Sequence, residues 1–116
     1  MSGTIRRLAA VFNQAAPGAN TNILAADIVP YTKTSAFRVT VCLPTSSVFN
    51  LVATQGATTF TISLNKAVAL VANALYPFSF GVNDSTTYNF RVATDGIINV
   101  LNVEEVEGGI LPSIGF

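Results

Sequence analysis

The sequence predicts an all-β chain that folds as a single β-sandwich of about eight strands. Apolar and polar residues alternate with a period of two from residue 22 onward, and turn residues recur about every 8–12 residues. Long amphipathic helical patterns are absent, so we expect very little helix. With 116 residues the chain has room for one core. Eight strands permit a jelly roll, but the sequence leaves the strand order open.

Each predicted strand follows from a short segment of the chain. In residues 59–64, Phe60, Ile62 and Leu64 alternate with threonine and serine, as in a half-buried strand. Pro77 indicates that its segment is an edge strand or begins after the proline. The eight predicted strands are residues 22–29, 36–43, 48–53, 59–64, 68–71, 75–82, 88–94 and 97–103.

The last two strands are predicted to form a hairpin. Asp95-Gly96 stands between them and suits a two-residue type I′ turn, in which both central residues need a positive φ. Such a turn places Phe90 opposite Leu101. It also brings the apolar side chains of both strands to one face of one sheet.

Two terminal segments flank the predicted sandwich of residues 22–107. We interpret residues 1–21 as an N-terminal arm, in which residues 4–12 form either a short strand or one to two helical turns. Residues 108–116 form an apolar C-terminal tail with a Gly-Gly pair at its base. Apolar side chains there each stabilise by about 1.5–3 kcal/mol when buried, so we expect the tail either to fold back under the sandwich or to dock into another subunit. The predicted assembly interface is Leu8, Val11, Phe12, Ile110, Leu111, Ile114 and Phe116.

Composition also favours assembly. Half of the residues are apolar and 10% are charged, against roughly 25% charged in an average soluble domain. No run of about 18 apolar residues exists, so the sequence predicts no transmembrane helix and no membrane partner. The apolar run of residues 8–12 is shorter than the about 7–15 residues of a signal peptide, so none is expected. Six basic and six acidic residues without a basic stripe argue against nucleic acid as a partner.

The sequence offers little for catalysis. It contains no histidine, so Ser–His and Cys–His nucleophiles and the usual zinc sites are unavailable. Cys42 lies in a strand pattern and is predicted to be a small buried hydrophobe. Glu105 and Glu107 could share one face of a strand end, as in a glycosidase-like pair, although a charged, solubilising strand end is the interpretation we favour. We therefore predict no enzyme activity and no cofactor.

The sequence leaves two binding functions to weigh, a calcium site and a carbohydrate or receptor site. Asn83 and Asp84 offer oxygen ligands for calcium, but without the spacing of a calcium loop, so no metal is expected. A carbohydrate- or receptor-binding module is the second functional hypothesis, because sugars stack on exposed aromatic rings. There is no tryptophan, which leaves Tyr31 and Tyr76 as the candidate platforms.

Residues 74–82, 87–92 and 98–105 resemble the closing strands of small capsid-decorating or tail-associated β-sandwiches of tailed bacteriophages. The neutral Asn/Thr/Ala/Val-rich strands, the missing His and Trp, and the apolar tail are similar to that group as well. The resemblance implies a virion structural protein that forms a cyclic homo-oligomer, often a trimer, seated on a capsid shell or a tail tube. It implies no catalytic residues, and head and tail remain alternatives.

Overall fold

A computed structural model describes residues 5–14, 18–31 and 35–107, and it confirms the all-β sandwich. In this part of the chain seven strands form two antiparallel sheets, with order β1-β7-β2-β5 in the larger and β4-β3-β6 in the smaller. No helix among these residues has the length and hydropathy to cross a membrane. The strands are β1 (Ile5–Gln14), β2 (Ser35–Cys42), β3 (Phe49–Gln55), β4 (Thr58–Ser63), β5 (Tyr76–Val82), β6 (Thr87–Val92) and β7 (Ile98–Glu107).

The core lies between the two sheets, where the alternating side chains of β2, β3, β6 and β7 meet. Phe49 of β3 stacks on Phe90 of β6 with ring centroids 5.5 Å apart. Phe37 of β2 meets Tyr88 of β6 edge to face at 5.1 Å, so these two rings join the larger sheet to the smaller. Cys42 is buried, as predicted.

Residues 22–29 extend the smaller sheet beyond β6, but as an irregular segment and not as the predicted strand. Ile28 exchanges both backbone hydrogen bonds with Tyr88, at 2.9 and 2.8 Å. Farther along β6, the buried side chain of Asn89 takes the place of a backbone partner. Its Oδ1 accepts the N–H of Leu24 at 3.0 Å, and its Nδ2 donates to the carbonyl of Leu24 at 3.1 Å. The side-chain amide lets the chain bulge here without leaving buried backbone groups unpaired.

The position of residues 22–29 shows which outer strands of the two sheets lie on the same side of the sandwich. The side chain of Gln14, the last residue of β1, donates to the carbonyl of Ile23 at 3.2 Å. Residues 20–28 therefore lie beside β1, at one edge of the molecule. Because β5 and β4 end their sheets on the other side, they lie at the opposite edge, joined by residues 64–75.

The predicted closing hairpin is wrong. β6 pairs with β3 in the smaller sheet, whereas β7 pairs with β1 and β2 in the larger. After β6 the N–H of Ala93 donates to the carbonyl of Val48 at 3.1 Å, and Asp95 and Gly96 (φ +78°) lie in a connection that crosses between the sheets. The apolar pattern of the two strands fits a hairpin and a pair of strands in opposite sheets equally well. In either arrangement Phe90 and Leu101 can face the same core.

Of the remaining strand predictions, some are confirmed and one is wrong. Pro77 does lie in an edge strand, since β2 is the one strand among the described residues that pairs with β5. Residues 68–71 form no strand and contribute one isolated bridge, between Leu70 and Ser47. Of the two alternatives left open for residues 4–12, the chain adopts the strand: β1 pairs with β7 along its length, with one irregularity between Arg7 and Ala9.

Candidate assembly surface

Within the described part of the chain, the outer strand of the smaller sheet, β4, has a neighbour on one side only. It pairs with β3, so that Phe60 lies opposite Ala53 and Ile62 opposite Leu51. Leu51 is buried in the core, yet Phe60 is 52% exposed and Ile62 is 39% exposed. The apolar face of the sheet therefore continues past the core onto an edge strand that the described residues cover only in part.

Half of the backbone N–H and C=O groups of β4 also have no partner among the described residues. The N–H of Leu64, just after the strand, donates to the carbonyl of Phe49 at 3.0 Å. In an antiparallel ladder the residues that bond to the partner strand alternate, so the groups that face β3 belong to the even-numbered residues of β4. The N–H and C=O groups of Thr59, Thr61 and Ser63 consequently point outward, and no described residue bonds to them.

This edge belongs to a stretch without charge. Residues 39–65 contain no Asp, Glu, Lys or Arg, and Lys66 follows immediately. Lys66 and both of its neighbours in the 3-10 turn have positive φ angles, which ends β4 abruptly. The connection onward to β5 exposes three further apolar side chains, those of Val68, Val71 and Leu75.

The predicted interface residues fall in different places. Leu8 and Val11 are half-buried and pack against the core. Phe12 is 61% exposed and lies opposite Val100 on the outer face of the larger sheet. The other four predicted residues, Ile110, Leu111, Ile114 and Phe116, lie outside the described residues.

Sequence reasoning missed Phe60 and Ile62 as surface residues, because their alternation with threonine is typical of a strand that turns one face to the core. The pattern gives the face of each side chain correctly, but it carries no information on whether a second sheet extends far enough to cover that face. The uncharged stretch of residues 39–65 was the one available signal, since edge strands of natural sheets usually carry charge.

The second site of interest lies in the larger sheet, around a buried carboxylate of β7. Glu105 is fully buried, so the predicted charged, solubilising strand end is wrong for this residue. Its two carboxylate oxygens accept the N–H of Tyr31 at 2.9 and 3.0 Å, and Oε2 also accepts the hydroxyl of Ser35 at 2.7 Å. Glu107 lies two residues on, on the same face, and its Oε2 pairs with Arg6 at 2.7 Å. Both carboxylates that were considered as a glycosidase-like pair thus hold other parts of the chain.

The two candidate sugar platforms differ. Tyr31 is 67% exposed, its backbone N–H is held by Glu105, and the guanidinium carbon of Arg6 lies 4.6 Å from the ring centroid. Tyr76 is half-buried, stacks parallel to Phe78, and accepts the N–H of Val71 through its hydroxyl at 2.8 Å. Tyr31 is therefore the better exposed of the two rings.

One surface ion pair lowers the pKa of a glutamate. Arg38 and Glu104 face each other across β2 and β7, with Nη2 and Oε1 2.6 Å apart. The hydrogen bond from Arg38 lowers the pKa of Glu104 below its usual value of 4.5. This pair lies on the outer face of the larger sheet, away from β4.

Oxygen ligands do not converge among the described residues, where no group of three acidic, Cys or His side chains is arranged to hold a metal ion. The side chain of Asn83, considered above for calcium, is engaged in its own turn. Its Oδ1 accepts the backbone N–H and the hydroxyl of Ser85 and the hydroxyl of Thr86, at 3.0, 2.6 and 3.1 Å.

Comparisons with known proteins add no family to this geometry. No protein-family model matches the chain, and no curated protein matches its sequence.

Proposed function

We propose that this chain is a non-enzymatic structural subunit of a virion, which decorates or stabilises a capsid or a tail as a homo-oligomer. Its partners are further copies of itself, in the trimer that the phage resemblance implies, and a major capsid or tail protein. The observation that carries the proposal is the edge strand β4, with exposed Phe60 and Ile62, outward backbone groups and no charge.

Further apolar exposure supports assembly. Soluble monomers rarely leave several large apolar side chains on one contiguous surface. Because the chain has few charged residues, neutral Thr and Asn supply most of its polar surface. A surface of this kind is compatible with partial coverage by partner proteins. Of the exposed large apolar residues in the described part of the chain, Phe60, Ile62, Val68, Val71 and Leu75 follow one another along β4 and its connection to β5, whereas Ile5, Phe12, Val29 and Tyr31 lie in β1 and in residues 29–31.

The absence of enzymatic activity is part of the proposal, and two observations support it. Glu105 and Glu107, the acidic pair considered for catalysis, are both engaged: one binds the chain at Tyr31 and Ser35, the other Arg6. Cys42 is buried and so has little access to a substrate. A sensitive glycosidase assay should give no signal. A signal that is lost when Glu105 and Glu107 are both changed to Gln would contradict this part.

The test of the assembly function uses the full chain and a chain that lacks residues 109–116. Each is mixed with capsids or tails assembled without it and then sedimented. We expect the full chain to co-sediment at a fixed stoichiometry. The truncated chain should keep its circular dichroism spectrum and its unfolding midpoint but lose particle binding or self-association.

Two outcomes separate the parts of this proposal. A full chain that binds neither particle type contradicts the virion function. A truncated chain that assembles and binds as the full chain does removes the tail from the interface and leaves the β4 edge as its candidate surface.

A carbohydrate- or receptor-binding module is the second candidate, and the exposed ring of Tyr31 favours it. The ring is held in place by the backbone contact to Glu105, and polar groups of Arg6 and Glu107 lie close by. Glycan-array binding that is lost in Tyr31→Ala and kept in Tyr76→Ala would support it. A purified chain that binds no glycan on the array removes this candidate.

A further inference from the structure

The outward side of β4 has a geometry that a second copy of the same strand can satisfy. Thr59, Thr61 and Ser63 carry the N–H and C=O groups to which no described residue bonds, spaced two residues apart. An antiparallel neighbour that offers three groups at the same spacing would pair all of them.

We infer that β4 pairs with β4 of a second copy about a two-fold axis at Thr61. In this register Thr61 lies opposite its own counterpart, and Thr59 lies opposite Ser63 of the second copy. All three pairs are of the hydrogen-bonded kind, so six backbone hydrogen bonds form. The two smaller sheets then join into one sheet of six strands.

The side chains agree with the same register. Phe60 lies opposite Ile62 of the second copy, and Ile62 opposite Phe60, in the non-hydrogen-bonded positions where side chains come closest. Both are aromatic–aliphatic pairs, a favourable combination across strands. The other face carries only the hydroxyl side chains of Thr59, Thr61 and Ser63, so apolar residues meet apolar and hydroxyl meets hydroxyl.

Charge does not oppose the contact. Residues 58–63 are uncharged, and Lys66 lies five positions beyond the axis, so the two Lys66 side chains fall at opposite ends of the pair. β4 also lacks the proline, lysine and bulge that keep natural edge strands apart. A partner of another kind would need a complementary pattern of its own, whereas a second copy supplies it by symmetry.

This inference rests on the proposed homo-oligomer and specifies one of its contacts. A two-fold contact makes pairs, so it either forms a dimer or joins two neighbouring trimers; it does not close a trimer by itself. A single strand pair is small beside the about 1,200–2,000 Å² of a standard interface, so we expect it to act together with other contacts.

Opposite charges at the two-fold position test the inference. Thr61→Lys places two lysines face to face and should weaken self-association about tenfold or more, and Thr61→Glu should do the same. An equimolar mixture of the two variants should associate again, because each lysine then meets a glutamate. Sedimentation velocity over a concentration series at low ionic strength measures all four samples, including the unaltered chain. Thr45→Lys, in an exposed loop between β2 and β3, is the matched control and should associate normally.

Each result decides between the proposals. If the unaltered chain associates and the Thr61 variants associate equally well, β4 pairing is overturned and the assembly function stands. If both variants dissociate and the mixture does not recover, this register is overturned. If the unaltered chain is monomeric at every concentration, the inference and the proposed homo-oligomer fail together. An unchanged thermal unfolding midpoint in both variants excludes misfolding as the cause of dissociation.

Discussion

The outer strands of the two sheets are built differently. β1 of the larger sheet carries Arg6 and Arg7 and an irregularity just after them, and β5, at the other end of that sheet, carries Pro77. Charge, bulges and proline are the usual means by which natural sheets prevent edge-to-edge pairing. β4 of the smaller sheet has none of the three. The difference supports the pairing proposed for β4, because this edge has none of the features that prevent it.

A second contrast lies within the smaller sheet itself. Phe90 of β6 and Phe60 of β4 are on the same face, and both are aligned with the β3 residues that line the core. Phe90 is fully buried and Phe60 is 52% exposed. One residue type in one alternating pattern thus has two roles, which depend on whether the larger sheet covers it.

The largest expected effect follows from this pair. Phe90→Ala empties part of the core, beside the stacked ring of Phe49, and should lower the free energy of unfolding by about 3–5 kcal/mol. Phe60→Ala, its matched control on β4, should cost about 1 kcal/mol or less in the monomer, because half of its ring is already in water. Urea unfolding at a concentration where the chain is monomeric measures both. Equal losses for the two variants would mean that β4 is covered as fully as β6.

The second prediction concerns the buried carboxylate of β7 in the larger sheet. Glu105→Gln replaces one acceptor oxygen by an amide N–H that faces the donors of Tyr31 and Ser35. We expect a loss of about 2–3 kcal/mol, because a buried hydrogen-bond donor is left without its partner. The control is Glu104→Gln on the outer face of the same strand, where the loss should stay near 0.5 kcal/mol. Urea midpoints that move equally in the two variants would contradict the anchoring role of Glu105.

The smallest predicted effect is the pH dependence of the pair Arg38–Glu104. The pKa of Glu104 is lowered in the folded chain, so the pair stabilises the fold above the unfolded value of about 4.5 and loses that contribution as pH falls through the folded pKa. The pair is partly exposed, so we expect about 0.5 kcal/mol. Arg38→Gln should therefore be less stable than the unaltered chain at pH 7, with the difference closing at low pH. A stability difference that is the same at pH 7 and at low pH would refute this.

Local pattern was enough for the fold class and for several strands. The alternation of Phe37, Val39 and Val41 defines β2 and its buried face, and Pro77 marks an edge strand, as the structure confirms. Local pattern could not assign strands to sheets. The segments around Phe90 and Leu101 have matching apolar faces whether they form a hairpin or cross between sheets, and only the partners of β6 and β7 distinguish the two.

The candidate surface was not predicted from the sequence, since none of the predicted interface residues lies on β4. Phe12 is exposed on the outer face of the larger sheet, whereas Leu8 and Val11 pack against the core. Their environment depends on how β1 lies against β7, which no pattern within residues 4–12 determines. Glu105 shows the same limit for charged residues. Its burial depends on donors 70 or more positions away in the chain, at Tyr31 and Ser35.

The molar mass of the full chain in solution, measured by light scattering over a wide concentration range, tests the central claim most directly. We predict a homo-oligomer whose mass is a small integer multiple of 12.2 kDa and which dissociates on dilution. A monodisperse 12.2 kDa monomer at every concentration would contradict the assembly function and leave the edge of β4 without a role.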